Sequence, residues 1–313
     1  MRDKIFSKIS DELIRRRRRA EAKAHGAANA AFSVPKIKEA DAALRLLDFE
    51  IVKEKSAGAD VSALKIKKEN LSKEYENLLS RHGFSPQQFL PRYQCKLCND
   101  TGTHDGLRCV CAMKLFPLEA KKYTNLTVKA PFKFSDCDFS VVSDSKQREY
   151  LQSVYKSAKV FCKKFSFNIA RNMLLTGPSG TGKTCVASAI ANELVERGVA
   201  VLFVSAFEFM NAMRECHFSP PAARGEHIED YLNADLLIID DLGVEQVYVN
   251  ITCEYLLLVL CEREMRGKST IVTTNLGDAL SDRYGDRIVS RLTDKNKTMT
   301  KNLWGENLRG RKR

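Results

Sequence analysis

The segment Gly177-Pro178-Ser179-Gly180-Thr181-Gly182-Lys183-Thr184 restricts the possible folds of this chain more than any other stretch. It meets the pattern G-x-x-x-x-G-K-[ST], in which glycines let the backbone curl until several amide hydrogens point at phosphate oxygens. Met173-Leu174-Leu175-Thr176 before it reads as a strand, and residues 184–197 after it read as a helix closed by Gly198. The loop therefore faces the positive end of a helix, which favours an anion. Lys183 is predicted to reach the β- and γ-phosphates of a nucleotide and Thr184 to hold Mg²⁺, with Cys185 the next residue along the cradle.

Further apolar runs follow at residues 199–204, 236–239 and 270–274, separated by helical stretches. Apolar strands alternating with helices imply an α/β fold with a parallel sheet covered on both faces. The third run ends in Asp240-Asp241, at the edge of a parallel sheet where ligands bind. Asp240 is predicted to assist Mg²⁺, and Asp241 to orient or deprotonate an attacking water. The bland alternative is two solvated acids capping the next segment. The fourth run ends in Thr273-Thr274-Asn275, where a polar residue would sit between the two carboxylates and the γ-phosphate and position water, although Thr and Asn are common at strand ends.

Upstream of the sheet, residues 1–92 read as a charged, helical, partner-binding region. Leu44, Leu47 and Ile51, and then Leu64, Leu71, Tyr75, Leu78 and Leu79, recur at helical spacing, with a break at residues 58–60. A helical hairpin is expected, with a further helix start at Ser85-Pro86. Residues 93–120 hold a cysteine cluster, 121–145 read as a linker, and 146–313 carry the phosphate cradle.

Of ten cysteines, four fall into the pattern C-x₂-C-x₁₀-C-x-C: Cys95, Cys98, Cys109 and Cys111. The first pair has the spacing of a zinc knuckle, and four thiolates predict a closed, structural Zn²⁺ site. His104 replacing one thiolate, an iron–sulfur cluster and a disulfide are the alternatives. The other six cysteines show no ligand spacing.

A net charge of +12 suggests a polyanionic partner, although the runs at residues 15–19 and 309–313 also read as solvated faces or ends. No apolar run reaches the roughly 18 residues of a membrane span, and the N-terminus lacks an apolar signal core. A cytoplasmic protein without a membrane partner is the expectation.

With these motifs in order, the chain from about residue 125 onward resembles the AAA+ ATPases of the DnaC/DnaI helicase-loader and IstB transposition-helper group. The resemblance rests on the cradle, on Leu237-Ile238-Ile239-Asp240-Asp241-Leu242-Gly243 and on Thr273-Thr274-Asn275-Leu276. Asp286-Arg287-Ile288-Val289-Ser290-Arg291-Leu292 and Gly305-Glu306-Asn307-Leu308-Arg309 complete the set. It implies an AAA+ domain that binds ATP and hydrolyses it, with Asn275 as sensor 1. Arg291 would be an arginine finger acting on a neighbouring subunit, with Arg287 on the same helix face as fallback. Arg309 would be sensor 2. Many AAA+ proteins carry Glu where this chain has Asp241, which implies slow turnover. The cysteine region resembles that of DnaC/DnaI-like proteins of Gram-positive bacteria and their phages. The implied partners are a hexameric DnaB-type replicative helicase, single-stranded DNA and further copies of the chain. Phe207, Phe209 and residues 214–224 are candidates for strand contact, and both phenylalanines also read as core. An IstB-like transposition helper and a nucleotide-binding but inert adaptor are the competing readings.

Overall fold

A computed structural model describes residues 1–124, 126–167 and 171–309, and the chain divides into two compact units. The smaller is Ser10–Ala112; the larger joins Met1–Ile9 to Met113–Arg313.

The smaller unit holds most of α1 (Arg2–Phe32), then α2 (Pro35–Ser56) and α3 (Ser62–Arg81). α2 and α3 form the expected hairpin about the break at Gly58, where φ is +78°. Ala31, Ile37 and Leu79 are buried at its base, with Phe32 packed on Phe89 at a ring distance of 6.2 Å. The helix start expected at Pro86 is one short 3-10 turn, Pro86–Phe89, closed by a capping box from Ser85 and Gln88. In the basic run of α1, Arg15 and Arg16 pair with Glu12, and Arg17 with Glu21. That part of the run is a solvated, internally compensated helix face. The unit ends in a two-stranded ribbon, β1 (Thr103–His104) and β2 (Leu107–Arg108), which carries the cysteine cluster.

The larger unit takes Met1 and residues 2–9 of α1, most of α4 (Val110–Thr124), α5 (Leu126–Lys129) and α6 (Ser145–Lys163). Then β3 (Asn172–Thr176), α7 (Lys183–Glu196), β4 (Val201–Ser205), α8 (Ala206–Phe218), α9 (Pro221–Asn233) and β5 (Leu236–Leu242) follow. The chain continues through α10 (Thr252–Met265), β6 (Ser269–Thr274), α11 (Leu280–Tyr284), α12 (Asp286–Leu292) and β7 (Thr298–Asn302). The five strands form one parallel sheet in the order β4-β5-β6-β3-β7. Its interior strands are buried along almost their whole length, so they read as apolar runs in the sequence. β7 is an edge strand of mixed burial and polar sequence, and the sequence reading does not find it.

The first residues of the chain, read as part of the partner-binding region, pack within this larger unit. Asp230 on α9 accepts from Lys4 at 3.0 Å and from the Tyr123 hydroxyl at 2.8 Å, and Phe6 packs on Phe116.

Arg263 on α10 is fully buried and holds the N-terminal ends of the strands together. Its guanidinium donates to Thr270 Oγ1 at 3.0 Å and to the carbonyls of Tyr231, Ala234 and Ser269. Burial pushes its pKa down to about 9, which leaves it charged at neutral pH. Arg263→Ala strips donors from several buried carbonyls and leaves a cavity. We expect a loss of about 3 kcal/mol, read as a lower urea midpoint at unchanged slope.

Candidate nucleotide site and cysteine cluster

The loop between β3 and α7 takes the curled form that its glycines allow. Gly177, Gly180 and Gly182 have φ of +129°, +82° and +100°. Thr181 is buried, and its hydroxyl closes the curl on the Pro178 carbonyl at 2.9 Å. Lys183 begins α7, and its ammonium donates to the carbonyls of Gly177 at 2.7 Å and Pro178 at 2.8 Å. Burial lowers the Lys183 pKa, and the cation of Arg309 adds to that, against the carboxylates of Asp241 and Asp240. An anion beside Lys183 relieves this cost, which is the electrostatic demand of a phosphate site.

Asp240 and Asp241 occupy a β-bulge. β5 pairs with β6 as Ile239 with Val272 and Leu242 with Thr274, so the two acids face Thr273 alone. The extra residue turns the strand, and Asp241 takes the left-handed φ of +55°. The bulge separates the two carboxylates. Asp240 is buried, and its Oδ1 accepts from Thr273 at 2.7 Å and from Thr184 at 3.1 Å. Asp241 lines the cavity, and its N–H donates to the Thr273 hydroxyl at 2.8 Å. Burial raises the Asp240 pKa and the Asp241 charge adds to it, while the two hydroxyls and Lys183 oppose the shift. A buried carboxylate beside a threonine hydroxyl is a hard oxygen donor set, and it fits Mg²⁺. The two acids are not the solvated caps of the bland alternative. Thr273, which holds both of them, is one of the polar residues at the strand end that the sequence reading singles out without choosing among them.

The cradle opens on a cavity of about 320 Å³. Gly180, Gly182, Lys183, Thr184 and Cys185 line its floor, with Asp241, Asn275 and Arg309 around them. Gly177, Pro178, Ser179 and Thr181 form the loop itself. The opposite wall is mixed: Phe132, Phe139, Val141 and Val142 from the segment after α5, with Leu151 and Tyr155 from α6, supply apolar surface, and Asp136, Cys137 and Asp138 line it as well. That segment is the one expected as a linker. It consists of short 3-10 turns without periodic spacing, so no helix or strand pattern marks it. Asn192 on α7 ties it to the fold by donating to the carbonyls of Ala130 at 2.6 Å and Phe132 at 2.8 Å, and Phe134 and Phe139 pack edge-on against Tyr155.

The C-terminal stretch closes the cavity from the side of β7. Leu303 N–H donates to the Thr176 carbonyl and Leu308 N–H to the Gly180 carbonyl, at 2.8 and 2.9 Å. Gln147 on α6 exchanges hydrogen bonds with the Glu306 backbone at 3.1 and 3.2 Å. These bonds bring Arg309 to the cavity from far along the chain. Of the tail cations, Arg311, Lys312 and Arg313 lie outside the described residues.

Arg291 is not at this cavity. It sits on α12, pairs with Glu264 at 2.9 Å and neighbours Asn172 and Thr298, at the starts of β3 and β7. Arg287 lies on the same helix near Glu264. Both are at the end of the sheet away from the phosphate loop. Phe209 is core, fully buried, whereas Phe207 is 58% exposed. Arg214 and Arg224 are held by the Tyr248 hydroxyl and the Ser219 carbonyl.

In the smaller unit the four sulfurs of Cys95, Cys98, Cys109 and Cys111 lie within 4.8 Å of one another. Cys95–Cys109 is 3.7 Å and Cys98–Cys111 is 3.4 Å. Four thiolates about 2.3 Å from a tetrahedral Zn²⁺ stand about 3.8 Å apart, so the set fits such an ion and none of the four is a disulfide. Asp100 shapes the turn by accepting from the N–H groups of Gln94 and Cys95, both at 2.8 Å. Burial pushes the Cys98 thiol up, but the Gly102 N–H at 3.4 Å and the neighbouring thiols bring it down to about 6. His104 pairs with Asp105 and is not in the cluster. Among the described residues no helix is long and apolar enough to cross a membrane.

Residues 119–295 match the family described as IstB-like ATP binding protein. The replicative helicase loader DnaC of Escherichia coli (strain K12) is 28% identical over 164 residues, covering 50% of this chain and 59% of the relative. DnaC of Buchnera aphidicola subsp. Schizaphis graminum is 29% identical over 149 residues, covering 45% and 57%. The chain thus spans under two thirds of the curated relatives it matches. A crystal structure of DnaI is 23% identical, covering 58% of this chain and 93% of the other, with a TM-score of 0.43.

The loop geometry yields a contrast between two glycines. A Cβ on Gly177 would meet the Leu303 carbonyl oxygen at 1.8 Å, at a φ closed to other residues. Gly177→Ala is expected to cost about 2 kcal/mol or more in thermal unfolding. Gly225→Ala, inside α9 with nothing within 4 Å, should stabilise by about 0.5 to 1 kcal/mol.

Proposed function

The chain belongs to the IstB-like ATP-binding proteins, and from that premise we propose that it is a slow ATPase that loads a DnaB-type replicative helicase onto single-stranded DNA. The observation that carries the enzymatic part is the division of Asp240 from Asp241. One carboxylate is fixed beside Thr184, and the other is free to face the cavity beside Asn275.

In this reading the curled loop and Lys183 bind the β- and γ-phosphates, and the apolar side chains of Phe132, Phe139 and Val142 take the base. Thr184 and Asp240 hold Mg²⁺, which supplies charge neutralisation on the phosphate oxygens. Asp241 accepts a proton from the attacking water, and Asn275 fixes that water's orientation. Asp241 is one methylene shorter than Glu, which suits a switch better than a motor. Arg309 senses the γ-phosphate in the same chain. Arg291 stabilises charge on the nucleotide of a neighbouring copy, so hydrolysis depends on self-association.

The loader part rests on the DnaC relatives, which cover about half of the chain. Residues 10–92 and the cysteine module are assigned to the helicase, residues 1–9 being part of the larger unit. Cys95, Cys98, Cys109 and Cys111 hold Zn²⁺ as a closed structural ion that contributes folding free energy to the module. The second reading, from the resemblance to IstB-like proteins, is a transposition helper that uses the same ATPase core. Co-purification from a cell extract separates the two. Retention of a hexameric helicase supports the first, and retention of a transposase in its place sinks it.

Lys183→Ala should abolish nucleotide binding. Asp241→Asn should keep binding and lower the hydrolysis rate at least about 100-fold, as the loss of a general base does. Equal hydrolysis by wild type and Asp241→Asn would remove Asp241 from the mechanism. Metal analysis should give one zinc per chain, and Cys98→Ser should lose it along with the protease resistance of the module. Iron in place of zinc, or no metal, would refute the zinc assignment.

A further inference from the structure

At the end of the sheet away from the phosphate loop, the larger unit has a second and wider cavity, an open cleft of about 990 Å³. It is bounded by the end of α6, the start of β3, the end of α10 and the stretch from α12 to β7. Six cations line it: Lys164, Arg171, Arg266, Arg291, Lys295 and Lys297. Among the described residues Glu264 is the one acid in the lining, and it is already shared by Arg291 and Lys297. Arg266 is paired with Glu262. Lys164, Arg171 and Lys295 are exposed and make no ion pair among the described residues. Asn296 adds an exposed amide, and Val160 and Met299 supply apolar surface.

Cations left unpaired in a concave surface repel one another, and an anion that threads the cleft relieves this. We propose that this cleft carries the phosphate backbone of a single-stranded nucleic acid, as a second anion-binding site separate from the nucleotide cavity. The inference rests on the single-strand binding proposed above and gives it a place that the aromatic candidates on α8 do not. Three features favour a single strand. The cations come from four separate chain segments, which suits an extended polyanion of uniform charge. The cleft is concave and offers no helix or ribbon to enter a duplex groove. Arg171 presents a forked donor suited to phosphate oxygens. An acidic protein segment is the competing occupant.

The test is fluorescence anisotropy with a labelled oligothymidylate on the full chain, from 50 to 200 mM salt. The variant K164A/R171A/K295A is compared with wild type and with K114A/K146A/K156A. The latter removes the same charge from exposed lysines outside the cleft. Arg291 is left in place because of its proposed role towards a neighbour. The cleft variant should bind at least about tenfold more weakly at 100 mM salt. Its slope of log affinity against log salt should fall by about two, near 0.7 for each of three lost phosphate contacts. The control variant should keep the wild-type slope. Thermal midpoint and binding of a fluorescent ATP analogue should be unchanged in both, showing that the fold and the nucleotide cavity are intact.

Equal affinity and slope in the cleft variant overturns the inference and leaves single-strand binding elsewhere on the protein. A wild type that binds no oligonucleotide overturns both the inference and the loader reading. A cleft variant that loses polyglutamate binding while keeping the oligonucleotide assigns the cleft to an acidic protein partner, and likewise overturns it.

Discussion

The bonds that Asp240 accepts from Thr184 and Thr273 hold the candidate site together. They join three elements that come from different parts of the chain: α7, β5 and β6. A carboxylate as buried as this one is costly unless its oxygens are hydrogen-bonded, so the two hydroxyls are a condition of its being there. Thr273 does more than satisfy it. The same hydroxyl accepts the Asp241 N–H and so pins the β-bulge that sets the second carboxylate apart from the first. One threonine on β6 therefore fixes how two adjacent acids on β5 face two different tasks.

The cavity is built by the same economy of ties. The phosphate loop has no side chain at its glycines, and the C-terminal stretch packs directly on its backbone. A Cβ on Gly177 would fall on the Leu303 carbonyl, and one on Gly180 would fall on the Asn307 side chain. The glycines thus serve two needs: the curl that collects amide hydrogens, and the close approach that delivers Arg309 to the cavity. Any nucleotide-dependent change in the loop is felt by that stretch, and through Gln147 and Glu306 by α6.

What could be read from the sequence follows from what is periodic or strictly spaced. The phosphate loop, the four cysteines, the α2–α3 hairpin and the buried strands β3 to β6 all carry such signals, and the structure has all of them. β7 carries none, because an edge strand with the sequence Thr298-Met299-Thr300-Lys301-Asn302 is neither apolar nor alternating. Residues 130–142 carry none either. Phe132, Phe139 and Val142 are placed by irregular backbone held to α7 through Asn192, and no spacing in the sequence encodes that. Thr273 is visible as part of a strand end, but its two hydrogen bonds depend on a bulge that sequence does not announce. Phe207 and Phe209 show the same limit from the other side. They are two residues apart on one helix, and only the packing of α8 on the sheet decides that Phe209 is buried and Phe207 is not.

The two ends of the sheet differ in how they treat charge. At the C-terminal end, backbone amides, one buried lysine and two carboxylates leave places for a phosphate and its metal ion, each within a small, partly apolar cavity. At the N-terminal end, Arg263 neutralises carbonyl dipoles from inside while exposed cations gather around the rim. The first arrangement suits a compact, highly charged ligand that must be oriented to a fraction of an ångström. The second has no such convergence, and so suits a long polyanion held by charge density more than by fit. Arg291 stands at that second end, tied to Glu264, and can meet phosphate only if another molecule brings it there. A neighbouring copy's nucleotide and a nucleic-acid strand would then compete for, or jointly fill, one basic surface, which makes occupancy of the cleft a natural point at which strand binding and hydrolysis could be coupled.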